Sequence, residues 1–121
     1  MKDFKKLKVW GKAHRFTLEV YQVTRNFPNH ERFGLTSQLR RSAVSITSNI
    51  AEGCGRIGDK ELARFFSISV GSANEAEYQL LLAYHLKYVP LESYQSLDHL
   101  INEVKRMLIA FIQKLTKNRK L

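Results

Sequence analysis

The stretch that decides the fold is ESYQSLDHLINEVKRMLIAFIQKLTK, residues 92–117. Within it Leu97, Ile101, Val104, Leu108, Phe111 and Leu115 follow one another at alternating steps of four and three. That spacing keeps all six on one side of a 3.6-residue helix and makes the apolar seam of a bundle helix. A seam of this kind is stable only when packed against others, because most helical stability in a protein comes from burying an amphipathic face.

Three more segments offer such a face. Residues 59–88 place Leu62, Phe65, Phe66, Val70, Ala73, Leu80 and Tyr84 on one stripe, with Asp59 in the capping position, Glu61 in the first turn and Pro90 beyond the end. Residues 35–53 carry Leu35, Leu39, Ala43, Ile46 and Ile50 up to the glycines at 53 and 55, the expected stop for a helix. Residues 9–26 carry Ala13, Phe16, Val20 and Val23, and Phe27-Pro28 closes them, since proline pushes the residue before it out of the α region. No segment sustains the alternation of a strand. Short connections between amphipathic helices favour antiparallel neighbours. The expectation is an all-α protein, one domain over residues 1–121, folded as an antiparallel up-down-up-down four-helix bundle.

The chain carries +9 with a pI near 9.9, which favours an anionic partner. The charge sits at the ends. Residues 1–15 hold six cations against Asp3, or +5; residues 105–121 hold six unopposed, or +6; the middle is left at −2. In an up-down-up-down bundle the start of helix 1, the loop between helices 2 and 3 and the end of helix 4 share one pole. Lys5, Lys6, Lys8, Lys12, Arg56, Lys60, Arg64, Lys114, Lys117, Arg119 and Lys120 are therefore the candidate nucleic-acid contacts, acting by phosphate neutralisation. Phe4, Trp10 and Tyr21 are aromatic rings of the kind that stack on unpaired bases, with core packing the competing role for Trp10.

Enzyme chemistry has little to build on. Gly53-Cys54-Gly55-Arg56-Ile57-Gly58 meets the G-x-G-x-x-G spacing, but a dinucleotide site needs a strand before it and a helix precedes it here, so it reads as a helix end and a turn. A weaker role remains, in which loop amides, the start of helix 3 and Arg56 hold one phosphate. His14, His30, His85 and His99 are scattered, and none has a glutamate at the spacing that di-iron bundles use. Ser42, Ser45, Ser48, Ser67, Ser69 and Ser72 have no local base and read as packing residues. Cys54 is the only cysteine, which excludes an internal disulfide and fits a reducing compartment. No catalytic residue, cofactor or metal site is expected. No segment approaches the roughly 18 apolar residues of a membrane span, so the expectation is a cytoplasmic protein with no membrane partner.

Two features point to close contacts. Gly71 costs a helix interior about 1 kcal/mol relative to alanine, and with Ser69 and Ser72 it implies the close approach of another helix, from this chain or a neighbouring subunit. Asn49 and Glu52 flank Ile50 and Ala51 and are expected to face a partly buried contact, with an internal hydrogen bond, a subunit interface and a ligand contact all open.

The strings Phe27-Pro28 with Glu31 and Phe33-Gly34-Leu35-Thr36, then Gln38-Leu39-Arg40-Arg41, then Ser45 with Ser48-Asn49-Ile50-Ala51-Glu52-Gly53, and later Gly71-Ser72 with Glu75, carry a resemblance over nearly the whole chain. It resembles the four-helix-bundle proteins encoded in intervening sequences of bacterial 23S ribosomal RNA genes, and is similar also to the accessory variability determinant of diversity-generating retroelements. The resemblance implies a bacterial bundle assembled as a homopentameric ring, with a positive surface for RNA or DNA, and for the retroelement relatives a reverse transcriptase partner. It implies no enzyme activity and no cofactor. Arg40, Arg41, Ser45, Asn49, Glu52, Gly53, Gly71, Ser72 and Glu75 match family positions as structural or interface residues, with no ligand role carried over. An alternative function is an oligomeric scaffold that docks a protein and holds little nucleic acid itself.

Overall fold

The four stripes become four helices in a computed structural model that describes residues 2–119, of which 118 and 119 are described by backbone alone. Helix α1 is Lys8–Thr24, α2 Leu35–Cys54, α3 Asp59–His85 and α4 Leu91–Arg119, with 3-10 turns at Phe4–Lys6 and Asn29–Glu31. Contacts between them run in opposite directions along consecutive helices. Thr17 and Thr24 of α1 meet Ala43 and Arg40 of α2. Ser42 and Ile46 of α2 meet Gln79 and Ser69 of α3. Phe66 of α3 meets Phe111 of α4 edge-to-face, and Tyr84 of α3 stacks on Tyr94 of α4. Each consecutive pair is therefore antiparallel, and since α1 also packs on α4, the four form a square. Most of the expected seam residues are buried in one continuous core; Val23, Val70 and Phe111 pack half-buried against it, Tyr84 is half-buried, and Phe65 is buried outside that cluster.

Helix ends differ from expectation in instructive ways. Asp59 does not cap α3: Gly58, at φ 91°, takes that position, and Asp59 and Glu61 lie in the first turn, where their negative charge complements the positive end of the helix dipole. Helix α3 stops at His85, three residues early. Lys87 adopts φ 66°, the Tyr88 N–H donates to the Ala83 carbonyl and the Lys87 N–H to that of Tyr84. This is a Schellman stop with lysine where glycine is usual, so nothing in the residue type signals it. At the start of α2, which has no cap from its own Gly34, Glu31 serves instead: its Oε1 accepts the Leu35 N–H at 3.1 Å while its Oε2 accepts the Tyr88 hydroxyl at 3.0 Å. One carboxylate thus ties the beginning of α2 to the end of α3.

The expected close approach of helices occurs, but not at Gly71. A Cβ on Gly71 would meet nothing within 4 Å, so no helix of this chain covers it. A Cβ on Gly53 would lie 2.9 Å from the Phe65 Cβ, and this glycine is where α2 and α3 touch backbone to side chain. Above it small hydroxyl residues keep the two helices near. Ser42 donates to Gln79 at 2.8 Å, Ser45 and Ser72 share a bond of 2.8 Å, and Ser69 donates to the Ile46 carbonyl at 2.9 Å. Each hydroxyl has a partner, which removes the cost of burying it.

Two predictions follow from these contacts. Gly53→Ala is expected to lower stability by about 1–3 kcal/mol, because overpacking against Phe65 outweighs the better helix propensity of alanine. Gly71→Ala is expected to raise it by roughly 0.5–1 kcal/mol, so the urea midpoints of the two variants should move in opposite directions. The second concerns pH. The Leu35 N–H, and then the Tyr88 hydroxyl, hold the Glu31 carboxyl below its ordinary value of 4.5. Its contribution is complete above that ordinary range and is lost as pH falls through the lowered folded-state value. Melting temperatures measured from neutral to acid pH should converge for wild type and Glu31→Gln at the acid end and separate at neutral pH.

Candidate nucleic-acid interface

Antiparallel register brings both ends of the chain to the α2–α3 loop. The Lys2 N–H donates to the Cys54 carbonyl at 2.9 Å, which sets the N-terminal turn on the end of α2. Phe4 meets Trp10 edge-to-face, with ring centres 5.0 Å apart, and Trp10 stacks on His14 at 4.8 Å. Both rings are thereby half-buried against the core. The Phe66–Phe111 contact sets the start of α3 beside the last turns of α4. Cys54 is buried beneath, and burial pushes its thiol up, away from the reactive thiolate.

The candidate cations divide by whether a carboxylate meets them. Arg56 pairs with Glu52 at 3.1 Å, Arg64 with Glu61 at 3.0 Å and Lys12 with Glu103 at 3.2 Å. The Arg64 bond is the main reason the Glu61 carboxyl is held low. Both arginines also lie over the Phe65 ring, 5.0 and 4.4 Å from its centre. Lys5, Lys6, Lys8, Lys60, Lys114 and Lys117 are exposed and have no ion pair among the described residues. The side chain of Arg119 and all of Lys120 lie outside the described residues. Lys105, counted in the basic C-terminal stretch, is withdrawn from it: its ammonium bonds Glu77 at 2.6 Å and Asn74 at 3.0 Å, clamping α4 to α3.

Part of the expected phosphate cradle is already engaged within the chain. Its Gly55 and Arg56 N–H groups donate back into the end of α2, to carbonyls of residues 51–53, and the Arg56 side chain is engaged by Glu52.

The family-motif residues scatter over five settings. Ser45, Asn49 and Ser72 form an internal hydrogen-bonded group, in which the Asn49 amide donates to the Ser45 carbonyl at 2.8 Å and to its hydroxyl at 3.1 Å. Gly53 makes the close approach described above. Glu52, expected in a partly buried contact, is instead exposed and faces Arg56. Gly71 and Glu75 are exposed on α3. Arg40 and Arg41 sit near the opposite end of α2, away from the lysines. The spacings of four and three residues, Glu52 to Arg56 and Glu61 to Arg64, are the local signal from which those two pairs could have been read. Lys12–Glu103 and Lys105–Glu77 join different helices, and no local pattern marks them.

Residues 5–110 match the family model described as 23S rRNA-intervening sequence protein. Among solved structures, the chain is similar to a protein of unknown function from the S23 ribosomal protein family of Bacteroides thetaiotaomicron VPI-5482. The two are 27% identical with a TM-score of 0.80, and the match covers 87% of this chain and 95% of that one. No curated protein matches. A match over nearly all of the bundle, joined to the same fold in a sequence relative, means that the chain belongs to the 23S rRNA-intervening sequence protein family.

Proposed function

We propose that this chain is a non-enzymatic, homo-oligomeric bundle that binds RNA or other nucleic acid through its lysine-rich pole. The observation that carries this reading is the set of six exposed lysines that have no ion pair among the described residues, drawn from three separate parts of the sequence to one end of the molecule. Lysine is a strongly hydrated point charge on a flexible stem, suited to phosphate and poor at bidentate base recognition. The two arginines at the pole are already engaged by Glu52 and Glu61. The pole therefore suits the phosphate backbone and not base edges. A ring of five subunits, the assembly implied by the resemblance, would present five such poles together.

A second reading rests on a different face. Around Gly71 the surface of α3 includes exposed Ser67, Ile68 and Tyr78, and no helix of this chain lies on Gly71. That face suits another subunit or a docked protein such as a reverse transcriptase, in which case the partner holds the nucleic acid.

Titrating a structured RNA into the purified protein between about 50 and 200 mM salt separates the two. The first reading expects a steep linear fall of log affinity with log salt, near −0.9 per duplex phosphate neutralised. Lys114→Gln with Lys117→Gln should weaken all RNA sequences alike and flatten the slope by roughly one per lysine in contact. Binding that ignores salt, or is unchanged in the double variant, would overturn the placement at the pole.

A further inference from the structure

About 21 Å along α2 from Cys54, at 1.5 Å per residue to Arg40, an open groove of about 510 Å³ runs between α1 and the first half of α2. That volume lies within the roughly 300–1,000 Å³ of ordinary ligand sites. Its walls combine arginine with aromatic rings. Tyr21 forms one side, and the Arg40 guanidinium lies 4.7 Å from its ring centre. The same guanidinium is pinned by donating Nε to the Thr24 hydroxyl at 2.8 Å and a terminal nitrogen to the Tyr21 carbonyl at 3.4 Å. Of the five N–H donors an arginine carries, these bonds use two. On the other side Phe33 is 86% exposed, with the Arg32 guanidinium 5.3 Å from its ring centre. Arg41 completes the lining.

Two contrasts with the pole define the ligand. The pole's arginines are matched by glutamates, whereas Arg32, Arg40 and Arg41 have no ion pair among the described residues. The pole's rings are tucked against the core, whereas Phe33 stands in solvent. A single exposed ring would be unremarkable on any protein. Set among three unneutralised guanidiniums, it asks for a partner that is anionic and also has flat faces. An acidic peptide meets the charge but gives Phe33 nothing to stack on. Duplex meets the charge but keeps its base faces covered. Unpaired nucleic acid offers both, and single-strand binders join cationic side chains to aromatic platforms for this reason.

We infer that the Arg32–Phe33–Arg40–Arg41 groove is a second nucleic-acid contact, specific for unpaired strand, in which Phe33 stacks a base and the arginines hold the adjoining phosphates. It is separate from the lysine pole, and neither requires the other. A chain with both holds a backbone at one end and a loop or single strand at the other.

Fluorescence anisotropy with an oligothymidylate of roughly 12 nucleotides, a length within the span of single-strand sites, and an abasic strand of equal length and charge tests this. Wild type should bind the thymidylate more tightly than the abasic strand. Phe33→Ala should weaken the thymidylate about tenfold and leave the abasic strand unchanged, Phe33→Tyr should restore it, and Arg41→Gln should weaken both. Because Phe33 is exposed, an unaltered thermal melt is expected for the alanine variant. Lys114→Gln with Lys117→Gln should reduce duplex binding while keeping the preference for thymidylate over abasic strand, which distinguishes failure of the pole from failure of the groove. Equal binding of the two strands by wild type would overturn the inference. So would an equal loss on both in Phe33→Ala, or displacement of thymidylate by polyglutamate with no dependence on Phe33.

Discussion

The closeness of α2 and α3 is the constraint on which the rest of this molecule depends. At Gly53 the two helices leave no room for a methyl group, and Phe65 occupies the space. Helices that close have no cavity between them for long side chains, so serines fill the seam, and each hydroxyl must find a partner because a buried one left alone costs about 1–3 kcal/mol. Ser42, Ser45 and Ser69 find theirs in Gln79, Ser72 and the Ile46 carbonyl. The bulky residues, Phe16, Phe66, Leu39, Ile46, Leu80, Ile101 and Leu108, are then gathered in the centre of the square. Asn49, bonded back to Ser45, belongs to the same polar group and is explained by it.

From this seam follows the placement of charge. With α2 and α3 locked antiparallel, α1 and α4 can only lie along their outer sides, and the two basic ends of the chain arrive at the α2–α3 loop. Cross-helix pairs then remove Lys12 and Lys105 from the free charge, while Arg56 and Arg64 are met by glutamates one turn away. The basic pole is thus mostly lysine. The other end of α2 retains arginines that have no ion pair among the described residues, beside exposed aromatic rings. A chain read only by its net charge would miss this division between a lysine surface and an arginine groove, which differ in what they can recognise.

Glu31 shows how a connection can stabilise what it joins. The carboxylate caps α2 and accepts from Tyr88 just beyond α3, so the Asn29–Gly34 connection is tied through Glu31 both to the start of α2 and to the turn after α3. That fixes the segment carrying Arg32 and Phe33 and gives the exposed groove a rigid edge.

The helices, their buried faces and the crowding of charge at the chain ends were all legible in the order of residues. Periodicity and charge are local or additive properties, and they survive without knowledge of the fold. The helix stop at Lys87 was not legible, because its left-handed backbone is imposed by the turn and not requested by the side chain. Nor was the choice of Gly53 over Gly71 as the point of close approach, since two helical glycines look alike until a neighbour is seen above one of them. Which lysines stay free was equally hidden, as Glu103 and Glu77 lie 91 and 28 residues from the cations they neutralise. The sequence by itself determined that four amphipathic helices must bury one face each. Only the tertiary structure decided which polar groups meet, because contact across helices depends on register and distance, and those are set jointly by all four.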